Sequence, residues 1–133
     1  MSEANKEMVR RFYKSSTSGC ADMADIVTAD YFDHHFLPDL PKGPEGVKQW
    51  NENVLGSVFS DIKIEIDYML ADGDKVDCHF ALVCKHTADF GDIPAKGNAI
   101  RCPAISTFRI AGGKIAEGWE LYDSGDLFNQ MKA

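Results

Sequence analysis

The sequence predicts a segregated α+β fold, in which helices from the first half pack against an antiparallel sheet formed by the second half. Two observations carry this prediction. Apolar residues recur at helical spacing up to about residue 58, and from residue 62 onward they alternate with polar residues as in a strand. The chain has 133 residues, of which 44% are hydrophobic, enough for one well-formed core. We therefore expect a single domain over residues 1–133.

Three helices are predicted in the first half. The first carries an apolar stripe near the N-terminus and ends near Gly19; the stripe is formed by Met8, Val9, Phe12 and Tyr13. A short second helix is predicted over residues 22–28. The third is predicted from Pro44 to about Val58, because proline is favoured in the first helical turn and Val47, Trp50 and Val54 follow at helical spacing.

The second half predicts a meander of four strands. The strands are expected over residues 62–70, 76–87, 99–110 and 114–122. Asp72-Gly73 and Gly112-Gly113 supply tight turns between neighbours. A curved sheet with the helices on its concave side encloses a cone, and such a cone is suited to a small molecule.

Composition and missing motifs narrow the functional class. The 21 acidic and 14 basic residues give a net charge of −7, which argues against nucleic acid as a partner. No apolar run approaches the roughly 20 residues of a membrane span, and no secretory signal is evident, so we expect no membrane partner and a cytoplasmic location. Nucleotide-binding loops and metal-ligand spacings are also missing, so we expect no nucleotide, no metal and no other cofactor.

His86 is a candidate catalytic residue at the end of a predicted strand. It shares the even-numbered face with the apolar residues Val76, Cys78, Phe80, Leu82 and Cys84. If the strand stays regular, the imidazole points inward and would serve as a hydrogen-bond donor or general acid. The alternative is a strand-end histidine that bonds a backbone carbonyl.

Asp123 is the second catalytic candidate. It shares the odd-numbered face of the last strand with Trp119 and Leu121, which would put a carboxylate against apolar walls and raise its pKa towards neutrality. Trp119 would then contact the substrate. The alternative for Asp123 is the N-cap of a C-terminal helix. Glu120 has the opposite parity and is expected in solvent.

Three further positions are candidates for contacting a ligand. His34 and His35 are neighbours in an extended segment, so at most one of them faces a given site. Trp50 lies on the apolar face of the third helix and would be either core or part of a ligand platform. Phe90 lies on a glycine- and proline-containing loop and would act as a mobile lid residue.

Several segments resemble the SnoaL-like polyketide cyclases, and the resemblance covers nearly the whole chain. They are Tyr31-Phe-Asp-His34, Gly43-Pro-Glu-Gly-Val-Lys-Gln49, Lys85-His-Thr-Ala-Asp-Phe90, Phe108-Arg-Ile-Ala-Gly-Gly-Lys-Ile115 and Glu117-Gly-Trp-Glu-Leu-Tyr-Asp123. Gly118 stands where members of the family often carry histidine.

The resemblance implies a cone of the nuclear-transport-factor-2 or ketosteroid-isomerase type, with N-terminal helices in the concave face of a curved antiparallel sheet, and a homodimer formed through the outer sheet face. It implies an aldol cyclisation of a small hydrophobic carbonyl compound without a cofactor, with Asp123 as acid/base and His34 and His86 as pocket histidines. Isomerisation by proton abstraction is the neighbouring possibility. A non-catalytic small-molecule-binding protein with the same pocket is the alternative function.

Overall fold

The computed structural model describes residues 2–35 and 39–133. Its three α-helices are α1 (Ser2–Ser16), α2 (Pro44–Gln49) and α3 (Ser124–Lys132). Its five strands are β1 (Val27–Asp33), β2 (Phe59–Asp72), β3 (Lys75–His86), β4 (Ala99–Ala111) and β5 (Lys114–Tyr122). A 3₁₀ turn covers Met23–Asp25, and a π-helix over Trp50–Leu55 continues α2.

The strands form one curved sheet in the order β1-β5-β4-β3-β2. The four strands of the predicted meander pair antiparallel, whereas β1 pairs with β5 in parallel. The predicted α+β class and the cone-like arrangement are confirmed. Within the described residues, no helix is long and apolar enough to cross a membrane.

Two of the predicted helices differ from the structure. The segment 22–28 contains only the 3₁₀ turn, and Val27 instead begins β1, where it pairs with Ile115. The apolar side chains of this segment, Met23, Ile26 and Val27, are buried in the core that also contains the apolar face of α1. The predicted third helix changes to a π-helix after Gln49, where the Asn51 carbonyl accepts from the Gly56 N–H at 2.8 Å. That spacing of five residues defines a π-helix, a rare form that frequently occurs at functional sites.

A β-bulge in β5 reverses which residues of that strand face the cone. Ile110 pairs with Ile115, but the preceding Arg109 pairs with Glu117, so Ala116 is an extra residue in β5. Ile115 and Ala116 are both buried. Beyond an extra residue the side-chain alternation is out of step by one position.

After this bulge the even-numbered residues of β5 face the concave side. Glu120 lies directly opposite Ser106 and Gly118 opposite Phe108, and both β4 partners are buried. The odd-numbered Trp119 therefore lies on the outer face of the sheet, contrary to the prediction.

A second bulge, at Asp67, has the same effect in β2. Ile66 pairs with Phe80, and the next pair is Tyr68 with His79. Met69 consequently packs against the core, while Tyr68 and Leu70 are exposed on the outer face. The predicted inward face of β2 therefore holds only for its first half.

The core fills the space between α1 and the concave face. The predicted α1 stripe is confirmed, since Val9, Phe12 and Tyr13 are buried. The Phe12 ring lies 5.2 Å from both the Tyr13 and Phe108 rings, measured between centroids. This aromatic layer positions the Tyr13 hydroxyl against Ser106 of β4.

Candidate active site

A cavity of about 140 Å³ opens between the concave face of the sheet, the C-terminal half of α1, the π-helix and α3. Its walls are overwhelmingly apolar. The aromatic residues that line it are Phe12, Tyr13, Trp50, Phe59, Phe80, Phe90, Tyr122 and Phe128. Such a surface is typical of a site for a hydrophobic small molecule.

Glu120 is the only charged side chain among the described residues that line this cavity. Its Oε1 accepts hydrogen bonds from the Ser106 hydroxyl at 3.1 Å and from the Tyr13 hydroxyl at 3.3 Å. The Tyr13 and Ser106 hydroxyl oxygens are 2.6 Å apart. The three groups form a closed polar triangle at the base of an apolar cavity, held by α1, β4 and β5.

Burial makes the Glu120 carboxylate a stronger base than an ordinary glutamate. Desolvation and the nearby Asp33 charge raise the pKa of Glu120 to about 7, although hydrogen bonds from Ser106 and Tyr13 favour the charged form. Burial, together with the Glu120 charge, also raises the pKa of Tyr13 well above its usual value. At neutral pH the carboxyl group can therefore take or give a proton, and the phenol stays protonated.

Asp123 does not lie in the cavity. Its side chain is exposed and accepts a hydrogen bond from the Asp126 backbone N–H at 3.0 Å, which makes it the N-cap of α3. The structure thus favours the helix-cap alternative. The Ala116 bulge is the reason, because it turns the odd-numbered positions of β5 outward.

His34 and Trp119 also lie outside the cavity, on the outer face of the sheet. Their rings stack with centroids 4.7 Å apart and planes 4° apart. His34 Nε2 lies 2.6 Å from Glu117 Oε2, and Arg109 Nε donates to Glu117 Oε1 at 2.6 Å. Neither residue lines the cavity in the cone where the sequence places a ligand. β1 instead presents Tyr31 and Asp33 inward, over Gly118.

His86 is buried, as its parity predicts, but it is not among the residues that line the cavity. Its ring lies 5.9 Å from the Phe59 ring. Neither ring nitrogen has a hydrogen-bond partner among the described residues. The predicted alternative of a ring bonded to a backbone carbonyl is therefore not what the described part of the chain shows.

Trp50 and Phe90 do line the cavity, from the π-helix and from the loop between β3 and β4. Phe90 is 45% exposed and stacks against Phe128 of α3, with ring centroids 5.9 Å apart. The two rings lie at the edge of the cavity, where a lid residue is expected. His35, the neighbour of His34, is exposed.

Sequence reasoning missed the residues that build the polar end of the site: Tyr13, Tyr31, Asp33, Ser106 and Glu120. A local signal for the last of these did exist. Ile115 and Ala116 are adjacent apolar residues in a strand that otherwise alternates, and a break of this kind indicates a bulge. Within residues 2–35 and 39–133, no three histidine, cysteine or acidic side chains converge as a metal site requires.

The curved sheet with helices in its concave face and a cavity at its centre defines the nuclear-transport-factor-2-like class of α+β proteins. The profile of the SnoaL-like polyketide cyclase family matches residues 7–131. The chain belongs to this family. No curated protein matches the sequence.

Solved structures share the fold over almost the whole chain. TsrD from Streptomyces laurentii is similar with a TM-score of 0.84 and 20% identity, over 97% of this chain and 95% of that one. A proposed polyketide cyclase from Bacillus cereus gives a TM-score of 0.78 and 29% identity, over 96% and 80% of the two chains. IdmH, a proposed polyketide cyclase from Streptomyces antibioticus, is similar with a TM-score of 0.80 and 19% identity, over 97% of this chain and 99% of that one.

Proposed function

We propose that this protein is a cofactor-independent enzyme that abstracts a proton next to a carbonyl group of a small hydrophobic compound, with Glu120 as the general acid/base. One observation carries the proposal. A single carboxylate with a raised pKa lines a cavity whose walls are otherwise overwhelmingly apolar. Enolate chemistry requires a base of this kind in a dry site.

The proposed reaction is the intramolecular aldol closure typical of the family. The Glu120 carboxylate takes a proton from a carbon beside a carbonyl group, and the electrons of that C–H bond move onto the carbonyl oxygen. The resulting enolate carbon bonds to a second carbonyl carbon, whose oxygen becomes an alkoxide. Glu120 returns its proton to that alkoxide, so atoms and charge balance without any co-reactant.

Tyr13 is the proposed donor to the developing oxyanion. Its hydroxyl belongs to a residue that lines the cavity, lies within 3.3 Å of Glu120 Oε1 and stays protonated at neutral pH. In this step the single Tyr13 proton turns from Glu120 Oε1 to the substrate oxygen, while the Ser106 hydroxyl keeps its bond to Glu120. A donor near the reacting carbonyl stabilises the negative charge that develops in the transition state.

The lining also restricts the substrate. The described lining residues include no cation, so an anionic ligand would meet Glu120 without compensation. A dry apolar cavity of roughly 150 Å³ accepts benzene. The present cavity, at about 140 Å³, is therefore matched to a neutral ligand of about one ring, unless the Phe90 loop opens to admit a larger one.

Exchange of ketone protons for deuterium tests the proposal without knowledge of the natural substrate. The probe is 2-indanone in D₂O, followed by proton NMR, with binding measured by calorimetry. We expect the protein to accelerate exchange and Glu120→Gln to lose at least about 100-fold of that acceleration, as for other general bases, while the dissociation constant changes little. Below pH 7 the rate should fall about tenfold per pH unit, because Glu120 becomes protonated.

Three results would contradict the proposal. If the Glu120→Gln variant exchanged the ketone protons at the normal rate, Glu120 would be excluded as the general base. Binding of 2-indanone without accelerated exchange would favour the binding-protein alternative. Indane-2-carboxylate, which shares the indane ring system but carries a negative charge, should bind more weakly than 2-indanone and should gain affinity in Glu120→Gln. Unchanged affinity of the carboxylate in Glu120→Gln would refute the charge argument.

The outer face of the sheet supports the homodimer that the resemblance implies. Tyr68, His79, Ile105 and Leu121 lie directly opposite one another across four strands. Tyr68, Ile105 and Leu121 are 47%, 46% and 63% exposed. Because exposed apolar patches often mark protein–protein interfaces, we propose that a second copy of the chain covers this row.

A further inference from the structure

Two buried polar atoms of β1 meet over a glycine of β5. A Cβ atom on Gly118 would lie 2.8 Å from the Tyr31 hydroxyl oxygen and 3.1 Å from Asp33 Oδ2. Tyr31 is only 3% exposed, and neither of these two atoms has a hydrogen-bond partner among the described residues. The absence of a side chain at position 118 is therefore what allows the phenol and the carboxylate to approach β5.

The register of the sheet brings Asp33 next to Glu120. Asp33 is the β1 partner of Gly118, and Glu120 is two residues further along β5, on the same inward face. The two side chains lie on neighbouring strands, and the charge of Asp33 acts on Glu120. The other carboxylate oxygen, Asp33 Oδ1, accepts from the His35 backbone N–H at 2.8 Å, which fixes the orientation of the group.

We propose that Asp33 is a positioning residue of the active site, a second carboxylate that acts through Glu120 from behind the cavity wall and does not touch the substrate. The catalytic part of this inference rests on the proposed function of Glu120. The electrostatic part does not, because the Asp33 charge acts on Glu120 whether or not the protein turns over a substrate.

Asp33 strengthens Glu120 as a base. Two carboxylates in one desolvated region disfavour each other's ionisation, and their protons are bound in coupled steps. Burial is the main cause of the raised pKa of Asp33. The pKa of Glu120 is raised first by burial and second by the charge of Asp33. A base with a higher pKa removes a proton from a weak carbon acid more readily.

The other groups around Glu120 do not offset this effect with positive charge. Tyr13 from α1 and Tyr31 from β1 have raised pKa values and are neutral at neutral pH. The same holds for Cys78 of β3 and Cys102 of β4, whose thiol pKa values burial raises. Ser106 contributes a hydrogen bond that favours the charged carboxylate. Asp33 is therefore the one described group whose charge change would reach Glu120 strongly.

Carbon-13 NMR of glutamate carboxyl groups tests this directly. The Glu120 signal is the one that disappears in Glu120→Gln, and its titration midpoint is followed in the whole protein. We expect Asp33→Asn to lower that midpoint by about one pH unit, since a nearby like charge is removed. Asp33→Glu should keep most of the elevation. Asp30→Asn is the matched control, because Asp30 is an exposed carboxylate on the same strand, and it should leave the midpoint unchanged.

Kinetics and a second variant complete the test. In the exchange assay, Asp33→Asn should shift the fall of the pH–rate profile on the acid side to lower pH. It should also reduce the maximal exchange rate several-fold, with little change in the Michaelis constant. Gly118→Ala should push Tyr31 and Asp33 away from β5 and lower the Glu120 midpoint in the same direction, which provides a readout should Asp33→Asn fold poorly.

An unchanged Glu120 midpoint in a folded Asp33→Asn or Gly118→Ala variant would overturn the inference. That result leaves the proposed function intact if Glu120→Gln still abolishes exchange. Conversely, normal exchange by Glu120→Gln would refute the proposed function, while a lowered midpoint in Asp33→Asn would still support the coupling of the two carboxylates.

Discussion

Glu120 of β5 and Asp123, which follows the end of that strand, lie in opposite environments. Glu120 lines an apolar cavity and accepts bonds from two hydroxyl groups, whereas Asp123 is exposed and accepts from a backbone N–H at the start of α3. The first environment penalises the charged form, and the second one stabilises a helix terminus. Their chemistry follows from these surroundings rather than from the residue type.

The raised pKa of Glu120 also predicts a pH dependence of stability. The folded protein holds this proton up to about pH 7, whereas an unfolded chain releases it near 4.5, so stability is lost as the pH rises between these values. We expect Glu120→Gln to remove this loss, which would amount to no more than about 3 kcal/mol between pH 5 and pH 8.5. Urea unfolding at the two pH values measures it.

Glu3→Gln, which alters an exposed glutamate in the first turn of α1, is the control and should behave like the unchanged protein. If the free energy of unfolding changed with pH in the same way for Glu120→Gln and Glu3→Gln, Glu120 would have no unusual proton affinity in the folded state.

At the scale of elements, the capping role of Asp123 makes a separate prediction. Asp123→Ala should lower the free energy of unfolding by about 1 kcal/mol, because the Asp126 N–H loses its acceptor. The rate of 2-indanone exchange should stay unchanged. Asp92→Ala, in an exposed loop, controls for the loss of a surface charge. Loss of exchange with normal stability would restore Asp123 as the catalytic acid/base and contradict the present assignment.

The strands show how far local pattern predicts this fold. The alternation in β3 is unbroken, so the inward positions of Val76, Cys78, Phe80 and His86 were predictable and are confirmed. In β5 one extra residue shifts the alternation, and a regular period-2 template then assigns every following side chain to the wrong face. Trp119 and Glu120 were both assigned to the wrong face for this reason, whereas the N-cap alternative for Asp123 was open from the sequence.

The remaining misses have a non-local cause. β1 is a short strand whose residues reach the sheet by parallel pairing with β5, more than 80 positions away in the chain. A segment of this kind has no neighbour in sequence to form a hairpin, so local periodicity favoured a helix over residues 22–28. The inward direction of Tyr31 and Asp33, and with it the second carboxylate of the site, depends on that distant partner.

For the whole molecule, the outer apolar row leads to a test of assembly. Leu121→Glu places a charge at the most exposed of its large apolar residues and should convert a dimer into a monomer in sedimentation velocity experiments. Asn53→Glu adds the same charge on the exposed side of the π-helix and should leave the dimer intact. A monomeric unchanged protein, or a dimeric Leu121→Glu variant, would exclude this face as the interface.

The bulge at Ala116 makes the site depend on the number of residues in β5 as much as on their identity. Removal of that one residue would restore regular alternation and exchange the two faces of the strand beyond it. Glu120 would turn outward, and an indole and an isobutyl group would enter the cone. Relatives that differ from this chain by a single insertion or deletion near this position are therefore expected to carry their acidic group at the other parity, so alignment columns in β5 do not by themselves identify equivalent catalytic residues.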